Sequence, residues 1–361
     1  MIRPFRLTLA LASAMLLAAP ALAQEITLKV HHFWPSTAMG PSTLLAPWCE
    51  RIGKDSGGRI KCQIYPSMQL GGTPPQLIDQ VKDGVADIVW TLPGYTAGRF
   101  PLMEVFELPF MTNSAESASR AAWDYFVQSA QKEFPGIKAL AIHAHDEGYV
   151  HTAKTQVRTL ADFKGLRMRA PTRQTNRMLS ALGATPVAMP LPALPEALSK
   201  GVVDGFMLPW EVIPSLKAHE LVKYHSETDP QARSLYTAVF LLAMNQARYD
   251  ALPADLRKVI DDNSGAALSG TFGKAWDASA PAARRLAVER GNVIYTIPST
   301  ELVNWQKATA ALSDDWVRDV TAKGNDGKAL LQAAKDLIRK YERPGARPEG
   351  RLLSGRTKVV Q

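Results

Sequence analysis

The sequence predicts an α/β protein built from two similar domains, and three observations carry that expectation. Short apolar runs alternate with helical segments through the first two-thirds of the chain, the pattern of sheets with parallel strands. A six-residue echo recurs about 117 positions apart: Lys82-Asp83-Gly84-Val85-Ala86-Asp87 and Ser199-Lys200-Gly201-Val202-Val203-Asp204 each close a helix with Gly and open a strand with Asp two residues after a Val. The 361 residues, 46% apolar and 21% charged, suit a globular chain long enough for two domains and exclude collagenous and disordered classes.

The first 23 residues stand apart from the rest. Arg3 and Arg6 make a positive n-region, Leu7 to Leu17 an apolar core, and Ala21-Leu22-Ala23 a cleavage signal, so residues 1–23 read as a secretory signal peptide. That segment is too short for a stable membrane anchor, and no later stretch is apolar enough to span a bilayer. A free periplasmic protein is expected.

Strands are expected at 26–31, 60–65, 87–92, 137–142, 166–170 and 202–207, and helices at 76–82, 116–133, 174–182, 193–200 and 256–275. Asn113 with Glu116 resembles a capping box, and Gly84, Gly183 and Gly201 are placed to end helices. Leu44, Leu45, Trp48 and Ile52 share one helical face, while Ile60, Cys62 and Ile64 alternate with polar residues as in a half-buried strand. A helix packed on its following strand brings Cys49 and Cys62 within reach of each other, and an oxidising compartment favours a disulfide over two buried thiols. Amphipathic helix is expected from Glu301 to about Tyr341, followed by a basic, Pro/Gly-rich tail over 341–361 that is expected to be mobile.

Most enzyme motifs are absent: the sequence has no G-x-G-x-x-G, Walker loop, G-x-S-x-G or H-E-x-x-H. His143, His145, Asp146, Glu147 and His151 are the residue types of a zinc site and offer an exported metal-dependent hydrolase as an alternative, although their spacing fits no standard ligand set. The formal charge is +8, from 42 basic and 34 acidic residues, but no basic block is interleaved with aromatics as a nucleic-acid groove requires. Small anions are the partners that charge suits. The segment Leu166-Arg167-Met168-Arg169-Ala170-Pro171 sends Leu166, Met168 and Ala170 to one face of a strand and both arginines to the other. Pro171 ends the strand, which leaves Arg169 near its carboxyl end, where open α/β sheets bind ligands and where a guanidinium can grip a carboxylate through two parallel hydrogen bonds. An ordinary salt-bridged arginine fits that position equally well.

Several segments, in order and spacing, resemble the solute-binding proteins of tripartite ATP-independent periplasmic (TRAP) transporters. They are Gly57-Gly58-Arg59-Ile60, Tyr65-Pro66-Ser67-Met68-Gln69-Leu70-Gly71, Gly84-Val85-Ala86-Asp87-Ile88, Phe100-Pro101 with Glu107-Leu108-Pro109-Phe110, Asp162-Phe163-Lys164-Gly165-Leu166-Arg167-Met168-Arg169-Ala170-Pro171, and Gly201-Val202-Val203-Asp204-Gly205. The resemblance implies a two-domain periplasmic binding protein with a hinge, a ligand cleft between the lobes and a long bridging helix. It implies lobe I from residues 25–146 with 235–274 and lobe II from 147–234 with 275–340. It also implies that Arg169 holds the carboxylate of an organic acid, which domain closure captures for a membrane permease. A monomer without cofactor, metal or catalytic residues is expected; a subunit that reports its ligand to a membrane sensor is a further alternative.

The departures from the family pattern bear on the ligand. Where the sialic-acid-binding branch has a second arginine, this chain has Tyr149; its ligand-binding Asn before Pro is here Leu208, before Pro209; and an Asn near the end of the first strand is Trp34. With Phe33, Trp90, Tyr95 and Trp210 these residues make the candidate binding site around Arg169, and they suit an apolar or aromatic monocarboxylate, such as a 2-oxo or 2-hydroxy acid, better than a sugar acid. Core or hinge packing is the competing use of the same aromatic residues.

Overall fold

The computed structural model describes residues 25–342 and contains two mixed sheets. The expected signal peptide lies outside the described residues, as does the expected tail beyond Glu342. Among the described residues no helix is long and apolar enough to cross a membrane.

The first sheet has the order β2-β1-β3-β10-β4, from β1 (Ile26–His32), β2 (Ile60–Tyr65), β3 (Ile88–Thr91), β4 (Ile137–Ala144) and β10 (Val239–Asn245). Helix α1 (Ala46–Asp55) connects β1 to β2, and α2 (Leu77–Lys82) connects β2 to β3. The second sheet repeats the plan as β7-β6-β8-β5-β9 with β11 added at one edge, from β5 (Tyr149–Thr152), β6 (Arg167–Ala170), β7 (Thr185–Ala188), β8 (Gly205–Leu208), β9 (Tyr224–Thr228) and β11 (Val293–Ile297). Its crossovers are α4 (Arg173–Ala181) and α5 (Leu194–Ser199). In both sheets three parallel strands are followed by two antiparallel pairings.

The six-residue echo is a structural repeat. The Asp87 N–H donates to Lys29 O and its carboxylate accepts from Lys29 N, while Asp204 makes the same pair of bonds with the backbone of Arg167. Gly84, Gly183 and Gly201 follow their helices with φ of 77°, 98° and 66°, values at which any side chain is strained. Cys49 on α1 and Cys62 on β2 are disulfide-bonded.

The chain crosses between sheets at 145–148 and again at 229–238, and these two segments are tied together: Gly148 N donates to Tyr236 O, Thr237 Oγ1 to His145 O, and Ala238 N to His145 Nε2. After the short helices α6 (Val212–Ser215) and α7 (Gln246–Asp250), α8 (Ala254–Asp262) and α9 (Ala266–Glu289) occupy the region expected as one helix over 256–275. Gly265, at φ 82°, breaks it by donating its N–H to Leu140 O of β4. Helix α9 is about 36 Å long and joins the sheets: Ser269 bonds Ile142 N of β4, and Arg284 pairs with Glu227 of β9. The last helices are α10 (Ser299–Thr309), α11 (Ala311–Ala322) and α12 (Gly327–Tyr341). Helix α10 packs on α4, whereas α12, most of which the resemblance assigns to lobe II, packs on α3 (Ala115–Tyr125) beside the first sheet.

Other local expectations are corrected. Helix α3 is capped by Ser114, not Asn113, because its hydroxyl accepts from Ser117 N; Asp277 of α9 takes the next two N–H groups, and Glu116 pairs instead with Arg120. Five strands escape the periodicity. Strand β10 is buried on both faces and shows no alternation, and β7 carries Pro186, which an edge strand tolerates.

Candidate functional site

A small, narrow cavity lies where the carboxyl ends of the parallel strands of both sheets meet. The connection after β1 supplies Phe33 and Trp34; that after β3 supplies Leu92 and Tyr95; β6 supplies Arg169 and is followed by Pro171; β8 ends in Leu208, followed by Pro209 and Val212. Leu191 comes from the β7–α5 connection, His145 and Tyr236 from the two crossing segments, Phe240 from β10 and Trp276 from α9. Such a position is where open α/β sheets bind ligands.

Arg169 is the one basic residue of this wall and is only 1% exposed. Its Nε donates to Met189 O at 3.1 Å, while Nη1 is buried with no acceptor. Among the described residues no carboxylate forms an ion pair with it. Glu107, behind the cleft, gives little counter-charge: burial pushes its carboxyl up to about 8 against the opposing hydrogen bond from Thr172, so most of it is uncharged at neutral pH. Tyr95 accepts the Leu191 N–H at 3.1 Å and lies within hydrogen-bonding reach of the Arg169 guanidinium. Burial raises the phenols of Tyr95 and Tyr236 above their ordinary value, so both stay protonated and neutral. A buried guanidinium with an orphan N–H and no counter-ion costs several kcal/mol, and an entering anion offsets that cost.

Away from the arginine the wall is aromatic and aliphatic. The Trp34 and Phe240 rings lie 5.7 Å apart, Phe240 and Trp276 5.7 Å, and Phe33 and Tyr95 5.5 Å. His145 contributes a ring whose polarity is already used: Nδ1–H donates to Asp146 O, Nε2 accepts from Ala238, and burial lowers it to about 4.

The structure thus gathers Arg169, Phe33, Trp34, Tyr95 and Leu208 around one cavity, and it does not bring Trp90, Tyr149 or Trp210 to its wall. Trp90 packs against Gly40, where a Cβ would lie 2.3 Å from its ring, and donates to His143 Nε2. Trp210 donates to Glu227 at 2.8 Å, and Tyr149 is half-buried with its ring 6.4 Å from Trp210. Tyr236, Phe240 and Trp276 were not expected. They come from a crossing segment, a strand without alternation and the bridging helix, and no motif marks them.

The zinc alternative finds no site. His143 accepts from Trp90; His145 is used by backbone; His151 bonds the His225 ring across β5 and β9 and the Leu208 carbonyl. Asn292 donates to His225 Nε2, so in the neutral rings His225 Nδ1–H donates to His151 Nδ1 and His151 Nε2–H to Leu208 O. Among the described residues no three His, Cys, Asp or Glu side chains are grouped to hold a metal.

Comparison with known proteins finds close similarity to proteins solved with small acids bound. A TRAP solute-binding protein from Rhodoferax ferrireducens, solved with copurified benzoate, is 52% identical, with a TM-score of 0.87 covering 88% of this chain and 98% of that one. A marine-metagenome TRAP solute-binding protein specific for aromatic acids, solved with 3-hydroxybenzoate, is 46% identical, with a TM-score of 0.87 over 89% and 100% of the two chains. A third, from Bordetella bronchiseptica with bound (R)- and (S)-mandelate, is 28% identical, with a TM-score of 0.81 over 88% and 100%. The family model described as bacterial extracellular solute-binding protein, family 7, matches residues 30–319. The chain belongs to this family, the solute-binding proteins of TRAP transporters.

Proposed function

We propose that this protein captures aromatic monocarboxylates in the periplasm and delivers them to a TRAP permease, without chemical change to the ligand. The observation that carries the reading is the buried Arg169 guanidinium, whose Nη1 has no acceptor, in a small cavity that is otherwise lined mainly by aromatic and aliphatic groups. The carboxylate takes the Arg169 Nη1–H, with the Tyr95 hydroxyl beside it, and the ring packs against Trp34, Phe240 and Trp276. Burying that ring gains roughly 25 cal/mol per Å². The benzoate, 3-hydroxybenzoate and mandelate of the similar structures support the class.

The two sheets are the cores of two lobes, and 145–148 with 229–238 form the hinge. A ligand that touches Arg169 on one lobe and Trp34 on the other favours the closed form by its differential affinity. Closure also joins Glu104, beside the first sheet, to Arg173 of α4 through paired hydrogen bonds of 3.0 and 2.6 Å. The test is a thermal-shift screen of ligand-stripped protein against benzoates, mandelate, C4-dicarboxylates and sugar acids. At 100 times its Kd a ligand stabilises by about 2.7 kcal/mol. Shifts with the aromatic acids support the reading, and shifts confined to dicarboxylates or sugar acids overturn it.

A further inference from the structure

The chain has eight tryptophans, and the indole N–H groups of seven of them divide into two sets. Trp48 donates to Asn263 O, Trp90 to His143, Trp210 to Glu227, Trp305 to Glu301 and Trp316 to Pro101 O, all between 2.8 and 3.0 Å. Trp123 is half-buried. The remaining two, Trp34 and Trp276, are 2% and 0% exposed, and the Nε1 of each is buried without any acceptor. These are also the two tryptophans of the cavity wall, with ring centroids 6.2 Å apart.

An unmet buried N–H is costly, and buried indoles ordinarily find a partner, as five do here. Both orphans belong to residues of the cavity wall, where a bound ligand can supply the missing acceptor. Arg169 accounts for a carboxylate from the second sheet, whereas Trp34 follows β1 and Trp276 sits on α9, beside Phe240 of the first sheet. The acceptor they require is therefore on the body of the ligand.

We propose that Trp34 and Trp276 are specificity-determining donors, which select aromatic acids bearing a hydrogen-bond acceptor, such as a ring hydroxyl, over purely hydrocarbon ones. This rests on the aromatic-acid reading above and narrows it. A site with a donor in place rejects the ligand that leaves it unpaired.

The test is calorimetric titration of ligand-stripped protein with the 2-, 3- and 4-hydroxybenzoates and the three methylbenzoates, which match them closely in shape. The expected result is that, at one ring position or more, hydroxyl binds about tenfold tighter than methyl, and that Trp34→Phe or Trp276→Phe removes this preference while methylbenzoate binding persists. In ¹⁵N-labelled protein the corresponding indole resonance moves with the hydroxy acid and not with its methyl partner. Methyl isomers binding as well as hydroxyl at all three positions overturn the inference but leave the aromatic reading standing, and this comparison needs no variant to fold. A preference that survives both substitutions also overturns it. Binding of no benzoate at all defeats the underlying reading as well.

Discussion

Strands β1 and β6 occupy the same place in their two sheets, and their differences separate what holds the fold from what binds. In each, an Asp just before the neighbouring strand bonds the backbone of the residue two before the compared position, which aligns Lys29 with Arg167 and His31 with Arg169. His31 is fully used, with Nδ1 bonded to Gln80 and Nε2 accepting from Leu70 N. Arg169 keeps an N–H with no acceptor. Equivalent buried polar residues thus have opposite status: the satisfied one stabilises, and the unsatisfied one waits for a ligand.

The largest expected effects test that contrast directly. Arg169→Ala lowers affinity for benzoate by about 2–5 kcal/mol, and Arg169→Lys, which keeps charge without the planar fork, by less. Arg169→Met leaves ligand-free stability unchanged or raises it, since replacing an uncompensated buried charge by an apolar chain is often favourable. His31→Ala does the reverse, costing about 1–3 kcal/mol of stability for its unmet partners and leaving the Kd for benzoate unchanged. Paired melting curves and titrations decide, and a His31 variant that loses binding but not stability breaks the comparison.

Ion pairs sharpen it. Arg173, with a 23% exposed side chain, pairs with Glu104 at 5% and with Asp319. Its removal is expected to cost about 3 kcal/mol by leaving Glu104 buried, whereas Arg167→Ala, on an exposed pair with Asp204, changes the melting temperature little. The first sheet alone is tied to a flanking helix by a disulfide among the described residues; Cys49→Ser with Cys62→Ser lowers stability in chemical denaturation by about 3 kcal/mol for a loop of this length.

The smallest steps come from protons, at about 1.4 kcal/mol per pH unit for each net proton. Burial first of all lowers His31, His32, His143, His145, His151 and His225, so below pH 6.5 the unfolded chain binds protons that the fold excludes, and stability falls with acidification. Burial raises Glu107, Glu133 and Glu211, whose contribution is complete below 4.5 and is lost as pH rises, through about 7 for Glu133 and about 8 for Glu107. Six groups against three place the stability maximum near pH 6.5. A melting temperature that is flat between pH 5 and 8 contradicts this.

Much of the plan is legible in the sequence because it is local. Helix-ending glycines, the Asp echo, the alternation around Arg169 and the paired cysteines each encode their structure within a few residues. What is hidden is set by distant partners: Asp277 helps to settle the start of α3, Leu140 breaks the helix at Gly265, and β10 enters the first sheet from the far side of the second. The site divides in the same way. Arg169 stands in a motif, and Trp34 and Leu208 stand at departures from the family pattern, whereas Tyr236, Phe240 and Trp276 reach the cavity only through tertiary crossings. Trp90 and Trp210 have the right residue type, but their N–H groups are taken by neighbours.

The most direct test of the account is calorimetric titration of refolded, ligand-free protein with benzoate and succinate, in the wild type and in Arg169→Ala. Saturable binding of benzoate, tighter than succinate by at least about tenfold and lost in the variant, is the predicted result. Succinate binding as tightly as benzoate, or benzoate binding unchanged without Arg169, would contradict it.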